Sequence, residues 1–289
     1  MDPARGPGLR QLLAGPALIV APGCYDVVGA RLIEHAGFPA AYMTGSGVSM
    51  SVTGLPDIGL VSLHEALDRL GQIAGAIRLP VIADGDTGFG NPLNVLRTVR
   101  EFERRGAAAI QLEDQEMPKK CGHTPNRRVV SARDMVRKIE VAVQARRSAD
   151  TLIIARTDAR AGLGLDEAIA RGRAYRKAGA DVIFVEAPTT EGQIETIARR
   201  IPQPKLINMF EGGKTPLVPL ARLRELGYRI VIIPSDLQRA AIRAMEETLA
   251  AIRRDGNSRS VADRMASFDD REAVVGTPEY MALDRRYRT

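Results

Sequence analysis

The sequence predicts one (β/α)8 barrel of the TIM type over residues 1–289, with extra helices after the eighth strand. Three observations predict it: short apolar runs alternate with longer helical patterns, these runs number eight, and polar residues close most of them. Such alternation is typical of βα units around a parallel sheet. Eight units close a barrel, whereas an open doubly wound sheet usually has about five or six strands.

The predicted strands are short runs rich in Val, Ile, Leu and Ala, as expected for strands buried on both faces. They cover 17–21, 40–44, 81–84, 109–113, 152–156, 182–186, 206–208 and 230–233. Helical patterns between them cover 62–77, 93–105, 132–147, 165–178, 191–200 and 216–226, and glycines follow several as stop signals. A long helix is expected from residue 235 to about residue 254. We expect residues 235–289 to form a helical extension that packs on a partner subunit.

The amino-acid composition limits the classes of function that this protein could have. Lys and Arg number 41 against 35 Asp and Glu, and they are scattered along predicted helices with few aromatics between them. This favours a solvated surface over a nucleic-acid interface, and the positive balance suits an anionic substrate. Cys24 and Cys121 are too few for a disulfide framework, and no apolar signal segment or membrane span is present. We therefore expect a cytoplasmic protein that binds neither membrane nor nucleic acid.

Acidic side chains close several predicted strands, where a barrel builds its active site. Asp84 and Asp86 are two residues apart, so in extended backbone both would project to one side and repel each other without a cation between them. Oxygen ligands favour Mg²⁺, with Mn²⁺ as a possible substitute, and Glu113 and Asp57 would hold its waters. The alternative is that each acid caps a helix or accepts from loop amides.

Two further features indicate anion binding. Arg156 closes the fifth strand and offers a planar fork suited to a carboxylate, although a structural salt bridge to Glu186 or Glu113 is the alternative. Thr44-Gly45-Ser46 closes the second strand and could donate backbone N–H groups and hydroxyls to a second carboxylate. Turns of this composition also occur simply because they permit tight backbone geometry.

A long polar segment over residues 115–131 follows the fourth strand and contains Lys119-Lys120-Cys121-Gly122-His123. Loops of this length on the catalytic face are often lids. The two lysines and the histidine give Cys121 an electropositive setting that favours thiolate and proton exchange near neutral pH. The alternative is an inert loop cysteine. Cys24, at the end of the first strand, is expected to be structural.

Four motifs together resemble the isocitrate lyase and phosphoenolpyruvate mutase superfamily. They begin at Asp84 (Asp-Gly-Asp-Thr-Gly-Phe-Gly), Glu113 (Glu-Asp-Gln), Lys119 (Lys-Lys-Cys-Gly-His) and Ala155 (Ala-Arg-Thr-Asp), and similarity runs from about residue 21 to about residue 254. The Lys-Lys-Cys-Gly-His motif resembles the lyase branch, which acts on 2-methylisocitrate or 2,3-dimethylmalate. The resemblance implies a Mg²⁺-dependent carbon–carbon lyase that cleaves a 2-hydroxy di- or tricarboxylate to an α-keto acid such as pyruvate plus succinate or a substituted carboxylate.

The resemblance also implies roles for individual residues. Asp84 and Asp86 would hold Mg²⁺, with Asp57 and Glu113 acting through water. Cys121 would be the general acid/base, and the other implied catalytic groups are Arg156, His123, Lys119, Lys120 and Tyr42. The implied substrate contacts are Thr44, Gly45, Ser46, Gly122, Arg156, Glu186, Asn208 and Thr215. The family further implies a homotetramer, a dimer of dimers that exchange a C-terminal helix.

Two departures leave the substrate open. Thr44-Gly45-Ser46 stands where the methylisocitrate branch usually has Ser-Gly-Gly, and residues 209–216 are more similar to dimethylmalate-lyase and mutase-like sequences. An oxaloacetate hydrolase or a phosphonate or phosphoenolpyruvate mutase-type enzyme of the same superfamily is the alternative. From another class, a non-catalytic barrel that binds dicarboxylates or serves in assembly remains open.

Overall fold

A computed structural model describes residues 6–122, 127–202 and 204–288. Within these ranges, parallel strands pair in chain order and the eighth strand pairs with the first, so the predicted closed barrel is confirmed. The strands are β1 (Ile19–Cys24), β2 (Ala41–Met43), β3 (Val81–Asp84), β4 (Ala107–Glu113), β5 (Leu152–Thr157), β6 (Val182–Val185), β7 (Lys205–Asn208) and β8 (Tyr228–Ile233). Because all eight run the same way, their carboxyl ends meet at one mouth of the barrel.

Helices cover the outside of the barrel and follow its last strand. They are α1 (Leu9–Ala14), α2 (Val27–His35), α3 (Gly45–Thr53), α4 (Leu63–Ala76), α5 (Pro92–Arg104), α6 (Ala132–Ala145), α7 (Ala159–Leu163), α8 (Leu165–Lys177), α9 (Glu191–Arg200), α10 (Leu220–Glu225), α11 (Asp236–Asp255), α12 (Phe268–Val275) and α13 (Thr277–Tyr287). A 3-10 helix, Arg259–Arg264, precedes α12. The long helix predicted after residue 235 is thus present as α11.

The core has two apolar layers, as expected when inward and outward side chains alternate along each strand. The outward layer packs under the surrounding helices, and the inward layer fills the barrel. α1 closes the base of the barrel: Leu9 is buried in the inward layer, and Arg229 donates to the carbonyl of Leu13 at 3.0 Å. Asp181 anchors α1 there by accepting from Arg10 at 2.9 Å.

The boundaries of one helix and one strand differ from the prediction, and proline or glycine lies at each difference. The helix expected over 216–226 is only Leu220–Glu225, since Pro219 forms its N-terminal cap and the residues before it are not helical. β1 begins later and continues through Gly23 to Cys24. An added Cβ on Gly23 would lie 2.3 Å from the carbonyl oxygen of Pro234, so glycine permits the close approach of the chain after β8.

The segment after β8 packs partly on its own barrel. Arg31 of α2 donates to the carbonyl of Val274 in α12 at 3.3 Å. α11 keeps large apolar side chains exposed, including Met245 and Leu249. Its docking on a partner subunit and the exchange of a helix stay predictions. In the part of the chain that the structure describes, no helix has the length and apolarity needed to cross a membrane.

Lys205 in β7 gives a pH-dependent contribution to stability. Its ammonium donates to the carbonyl of Ile201 at 2.9 Å and lies 5.5 Å from the centre of the Tyr228 ring. Burial lowers the pKa of Lys205 to about 8, so between about pH 8 and pH 10 the unfolded chain binds more protons than the folded one. The free energy of unfolding should therefore rise across this window, by about 2 kcal/mol at most.

Lys205→Met should remove that rise, because methionine has no proton to lose. Urea unfolding of both proteins from pH 7.5 to pH 10 measures it. Equal pH slopes in the two proteins would show that Lys205 is not the group responsible.

Candidate active site

The carboxyl ends of the strands surround a cavity. Its walls contain many of the residues that the sequence singled out: Tyr42, Thr44, Ser46, Asp57, Asp84, Glu113, Lys119, Lys120, Cys121, Gly122, Arg156, Glu186 and Asn208. Gly45 and Asp86 lie directly against Asp84. Thr215 is buried but does not line the cavity. His123 lies outside the described residues.

Asp84 and Asp86 converge, but not in the way that extended spacing predicted. Asp84 ends β3, whereas Asp86 has a φ of 49°, in the left-handed region, so a turn and not the pleat of a strand places it. Asp84 is held by three donors: the Tyr42 hydroxyl at 3.2 Å, the Gln111 amide at 3.2 Å and the backbone N–H of Asp86 at 3.1 Å. Its carboxylate is therefore fixed in orientation.

Lys119 supplies a cation to this acidic group. Its ammonium lies 2.5 Å from Asp57 and 2.6 Å from Asp86, and its side chain is buried. Burial raises the pKa of Asp86 to about 6 although Lys119 opposes the shift. Burial alone would lower the pKa of Lys119, but the surrounding carboxylates outweigh it and raise that pKa well above its usual range. The ammonium of Lys119 is thus charged at neutral pH.

The donors at this site fit a hard divalent ion held largely through water. The described ranges contain no group of three or more His, Cys, Asp or Glu residues placed to enclose a metal ion. Within them, no Lys or Arg nitrogen lies within 4.0 Å of the Asp84 carboxylate. One buried oxygen of Glu113, Oε1, has no hydrogen-bond partner among the described residues. Mg²⁺ commonly takes one or two carboxylates and keeps several waters, so these oxygens suit it.

Arg156 is buried in the cavity wall among carboxylates. Its main partner is Asp158, which accepts from Nε at 2.9 Å and from Nη2 at 3.0 Å. Glu113 lies 3.3 Å from Nη1 and Glu186 lies 3.8 Å from Nε, so the alternative salt bridges to these two residues are both present. Burial would lower the pKa of Arg156, but the three acids outweigh it and raise that pKa. The guanidinium is a fixed cation that faces the cavity.

The predicted Thr44-Gly45-Ser46 turn is the start of α3. Thr44 is its N-terminal cap, and the threonine side chain accepts from the N–H of Gly47 at 3.4 Å. The helix begins where β2 ends at the cavity, and both Thr44 and Ser46 line the wall. Helix N-termini attract anions through unpaired N–H groups and the helix dipole. This wall can therefore receive a carboxylate.

The loop after β4 brings Cys121 to the cavity. The N–H of Cys121 donates to the carbonyl of Asp57 at 3.1 Å, and Gln115 bonds both the N–H and the carbonyl of Lys120 at 2.9 Å. The Cys121 side chain is partly exposed in the cavity wall. Cys24 is fully buried, and burial raises the pKa of its thiol to about 12, as expected for a structural cysteine. The two thiols are thus placed for different roles.

Sequence reasoning missed several residues of the site. Phe210, Ile232, Pro234 and Ser235 line the cavity, and Asp158 holds Arg156. Pro234 and Ser235 could have been predicted from the sequence, because they directly follow β8. In this fold the residues after every strand contribute to the active site. Asp158 stood inside a recognised motif, but its partner was not visible in the sequence.

Gly45→Ala should weaken divalent-ion binding without unfolding the protein. An added Cβ would lie 2.8 Å from Asp84 Oδ2 and 3.3 Å from Asp86 Oδ1, so the fixed Asp84 carboxylate would have to move. We expect a loss of Mg²⁺ affinity of about tenfold or more, measured by calorimetry. Gly75→Ala in α4 is the matched control, since no atom of the described residues outside its own helix turn lies within 4 Å of its added Cβ. Unchanged affinity in Gly45→Ala would contradict the expected displacement.

Comparison with known proteins agrees with this geometry. A family model described as phosphoenolpyruvate phosphomutase matches residues 9–253. The 2,3-dimethylmalate lyase of Eubacterium barkeri is 46% identical, covering 97% of each chain. The 2-methylisocitrate lyase of Aeropyrum pernix is 44% identical over 98% of this chain and 92% of that protein.

Solved structures extend the comparison. A crystal structure of 2,3-dimethylmalate lyase, described as a member of the PEP mutase/isocitrate lyase superfamily, superimposes with a TM-score of 0.90 at 38% identity, covering 96% of this chain and 93% of that chain. Phosphonopyruvate hydrolase in complex with oxalate and Mg²⁺ superimposes with a TM-score of 0.88 at 34% identity, covering 97% and 98%. The resemblance expected from the four motifs is confirmed: this chain belongs to the PEP mutase/isocitrate lyase superfamily.

Proposed function

We propose that this protein is a Mg²⁺-dependent carbon–carbon lyase whose substrate is a 2-hydroxy di- or tricarboxylate of the 2,3-dimethylmalate or 2-methylisocitrate type. One observation carries the proposal: Cys121, Asp84 and Arg156 line a single cavity at the mouth of the barrel. A proton donor, a carboxylate for a divalent ion and a fixed cation are the three parts that the reaction requires. The lyase relatives, at 44–46% identity over nearly the whole chain, support the same class of reaction.

The ion pairs of Asp57, Asp84, Asp86 and Glu113 indicate which of these four acids binds the ion directly. Asp57 and Asp86 are already paired with Lys119, whereas Asp84 has no lysine or arginine beside it in the described residues. We therefore propose that Asp84 binds the ion directly and that Asp57, Asp86 and Glu113 hold its waters. When bound, Mg²⁺ would stabilise negative charge on the oxygen at C2 of the substrate.

The protein's own residues account for the remaining steps. Arg156 and the start of α3 bind substrate carboxylates and fix the C2–C3 bond in the cavity. Oε1 of Glu113, to which no described residue donates a hydrogen bond, accepts the proton of the 2-hydroxyl group. As C2 becomes a ketone, the electron pair of the C2–C3 bond moves to C3 and is stabilised by the carboxylate there. The Cys121 thiol then delivers its proton to C3.

Product analysis tests the proposal. The protein is incubated with Mg²⁺ and, separately, 2,3-dimethylmalate, 2-methylisocitrate, isocitrate and oxaloacetate, and the products are identified by NMR. Atom balance requires pyruvate and propionate from 2,3-dimethylmalate, or pyruvate and succinate from 2-methylisocitrate. Oxalate and acetate from oxaloacetate alone would identify a hydrolase instead. Binding without turnover of any of the four acids would contradict an enzymatic role.

A further inference from the structure

Asp158 occupies an unusual place for a residue at the start of a helix. It is the N-terminal cap of α7, but within the described ranges its side chain makes no capping hydrogen bond. Its carboxylate is fully buried and instead faces two arginines: Arg156 at 2.9 Å and 3.0 Å, and Arg127 at 3.2 Å. The mechanism proposed above gives Asp158 no chemical step. Its two partners indicate what it does.

The contact with Arg156 selects which edge of the guanidinium faces the cavity. Asp158 accepts hydrogen bonds from Nε and from one N–H of Nη2, which together form one edge of the guanidinium. The end that bears Nη1 and Nη2 stays directed toward Glu113 and the loop, since an added Cβ on Gly122 would lie 2.7 Å from Nη2. This end is the one that can meet a substrate carboxylate.

The contact with Arg127 reaches the loop that carries Cys121. The Arg127 side chain is only 1% exposed, and its Nη1 donates to the carbonyl of Cys121 at 3.4 Å. The same end of the loop is held by Arg171 of α8, which donates to the carbonyl of Val130 at 2.8 Å. Asp158 is thus one acid shared by the substrate-facing arginine and the segment that places the thiol.

A second buried acid fixes Asp158 itself. Asp114 accepts from the backbone N–H of Asp158 at 2.8 Å. Its other oxygen accepts from Thr157 and Tyr175, each at 2.7 Å, and from Arg171 at 3.1 Å. Because each of these contacts is buried, the position of Asp158 is set before any ligand binds.

We propose that Asp158 is a positioning residue that orients Arg156 toward the substrate carboxylate and, through Arg127, couples that arginine to the loop bearing Cys121. The proposal rests on the proposed function in assigning Arg156 to a carboxylate. Both of its consequences are measurable without turnover.

Asp158→Asn keeps the shape of the side chain and removes its charge. Oxalate binding in the presence of Mg²⁺, measured by calorimetry, reports on Arg156, and the rate of iodoacetamide alkylation of Cys121 reports on the loop. We expect the oxalate Kd to rise by about tenfold or more and the alkylation to become several-fold faster. Cys24, which is fully buried, serves as the unreactive thiol within the same chain.

Asp181→Asn is the matched control. Asp181 also pairs with two arginines, Arg10 at 2.9 Å and Arg146 at 2.5 Å, but at the base of the barrel. It should lower the melting temperature while leaving the oxalate Kd and the alkylation rate unchanged. Equal shifts in the two variants would indicate general loosening and overturn the proposal, as would a folded Asp158→Asn protein with wild-type values of both.

Arg127→Gln separates the two contacts of Asp158. It should speed alkylation of Cys121 and leave the oxalate Kd close to that of the wild type. If Asp158→Asn does not fold, an unchanged alkylation rate in Arg127→Gln overturns the coupling, and a faster rate supports it. If the wild-type protein cleaves none of the four acids, the proposed function fails while these measurements still decide the role of Asp158.

Discussion

Replacing Cys121 by serine should lower turnover by about 10²–10⁴-fold, the range typical of losing a general acid. A serine hydroxyl has nearly the same size but gives up its proton far less readily than a thiol, whose ordinary pKa is about 8.5. The carbanion formed at C3 would then be protonated more slowly, and it would more often re-form the C2–C3 bond. Steady-state kinetics with the acid that the wild-type protein cleaves best measure the loss.

Binding measurements separate this effect from damage to the site. Calorimetry should find unchanged Mg²⁺ and oxalate affinity in Cys121→Ser, because the thiol is not among the residues proposed to bind them. Cys24→Ala changes the other cysteine, which is buried at the end of β1 with its thiol 3.7 Å from the carbonyl of Tyr42, and should keep near wild-type turnover. A wild-type rate in Cys121→Ser would remove the acid role from this residue and, with it, the proposed final step.

Asp84→Asn should abolish Mg²⁺-dependent binding of oxalate while the protein stays folded. Asparagine keeps the shape of the side chain, its amide oxygen can still accept from Gln111, and its NH2 group can donate to the Tyr42 hydroxyl oxygen, but it lacks the charge that faces the ion. The expected loss of metal affinity exceeds the roughly 10–100-fold that is typical for residues acting through an intervening group. Calorimetric titration with Mg²⁺, with and without oxalate, measures it.

Asp57→Asn provides the comparison for Asp84→Asn. Asp57 pairs with Lys119 at 2.5 Å and is proposed to act through water, so its loss should stay within the smaller range. Equal losses in both variants would show that the two acids share the ion, and the assignment of Asp84 as the direct ligand would then be wrong.

The barrel could be predicted from the sequence because its signals are local. Each strand is an apolar run, and polar residues such as Asp84, Glu113 and Arg156 close the runs. Helix α1 was not predicted, because its six residues make sense only against the base of a barrel. The turn that places Asp86 was mistaken for extended strand, since a left-handed residue other than glycine leaves no clear mark in a sequence.

The candidate site was harder to predict wherever one residue depends on distant partners. The pairing of Lys119 with Asp57 and Asp86 joins three loops, and no spacing in the chain encodes it. In the same way, Arg156 was predicted to bind a substrate carboxylate, with a salt bridge to Glu186 or Glu113 as the alternative. Its closest carboxylate belongs to Asp158, two residues away. In each case the residue type was recognised correctly, while its partner was decided by the fold.

The ammonium of Lys119 also bears on whether folding requires the proposed metal ion. Small metal-binding domains often fold only around their metal, since their ligands repel one another without it. Here the ammonium of Lys119 already bridges two of the four acids and reduces the repulsion between them. We therefore expect the barrel to fold without the proposed Mg²⁺, and we expect chelation to remove activity and added Mg²⁺ to restore it.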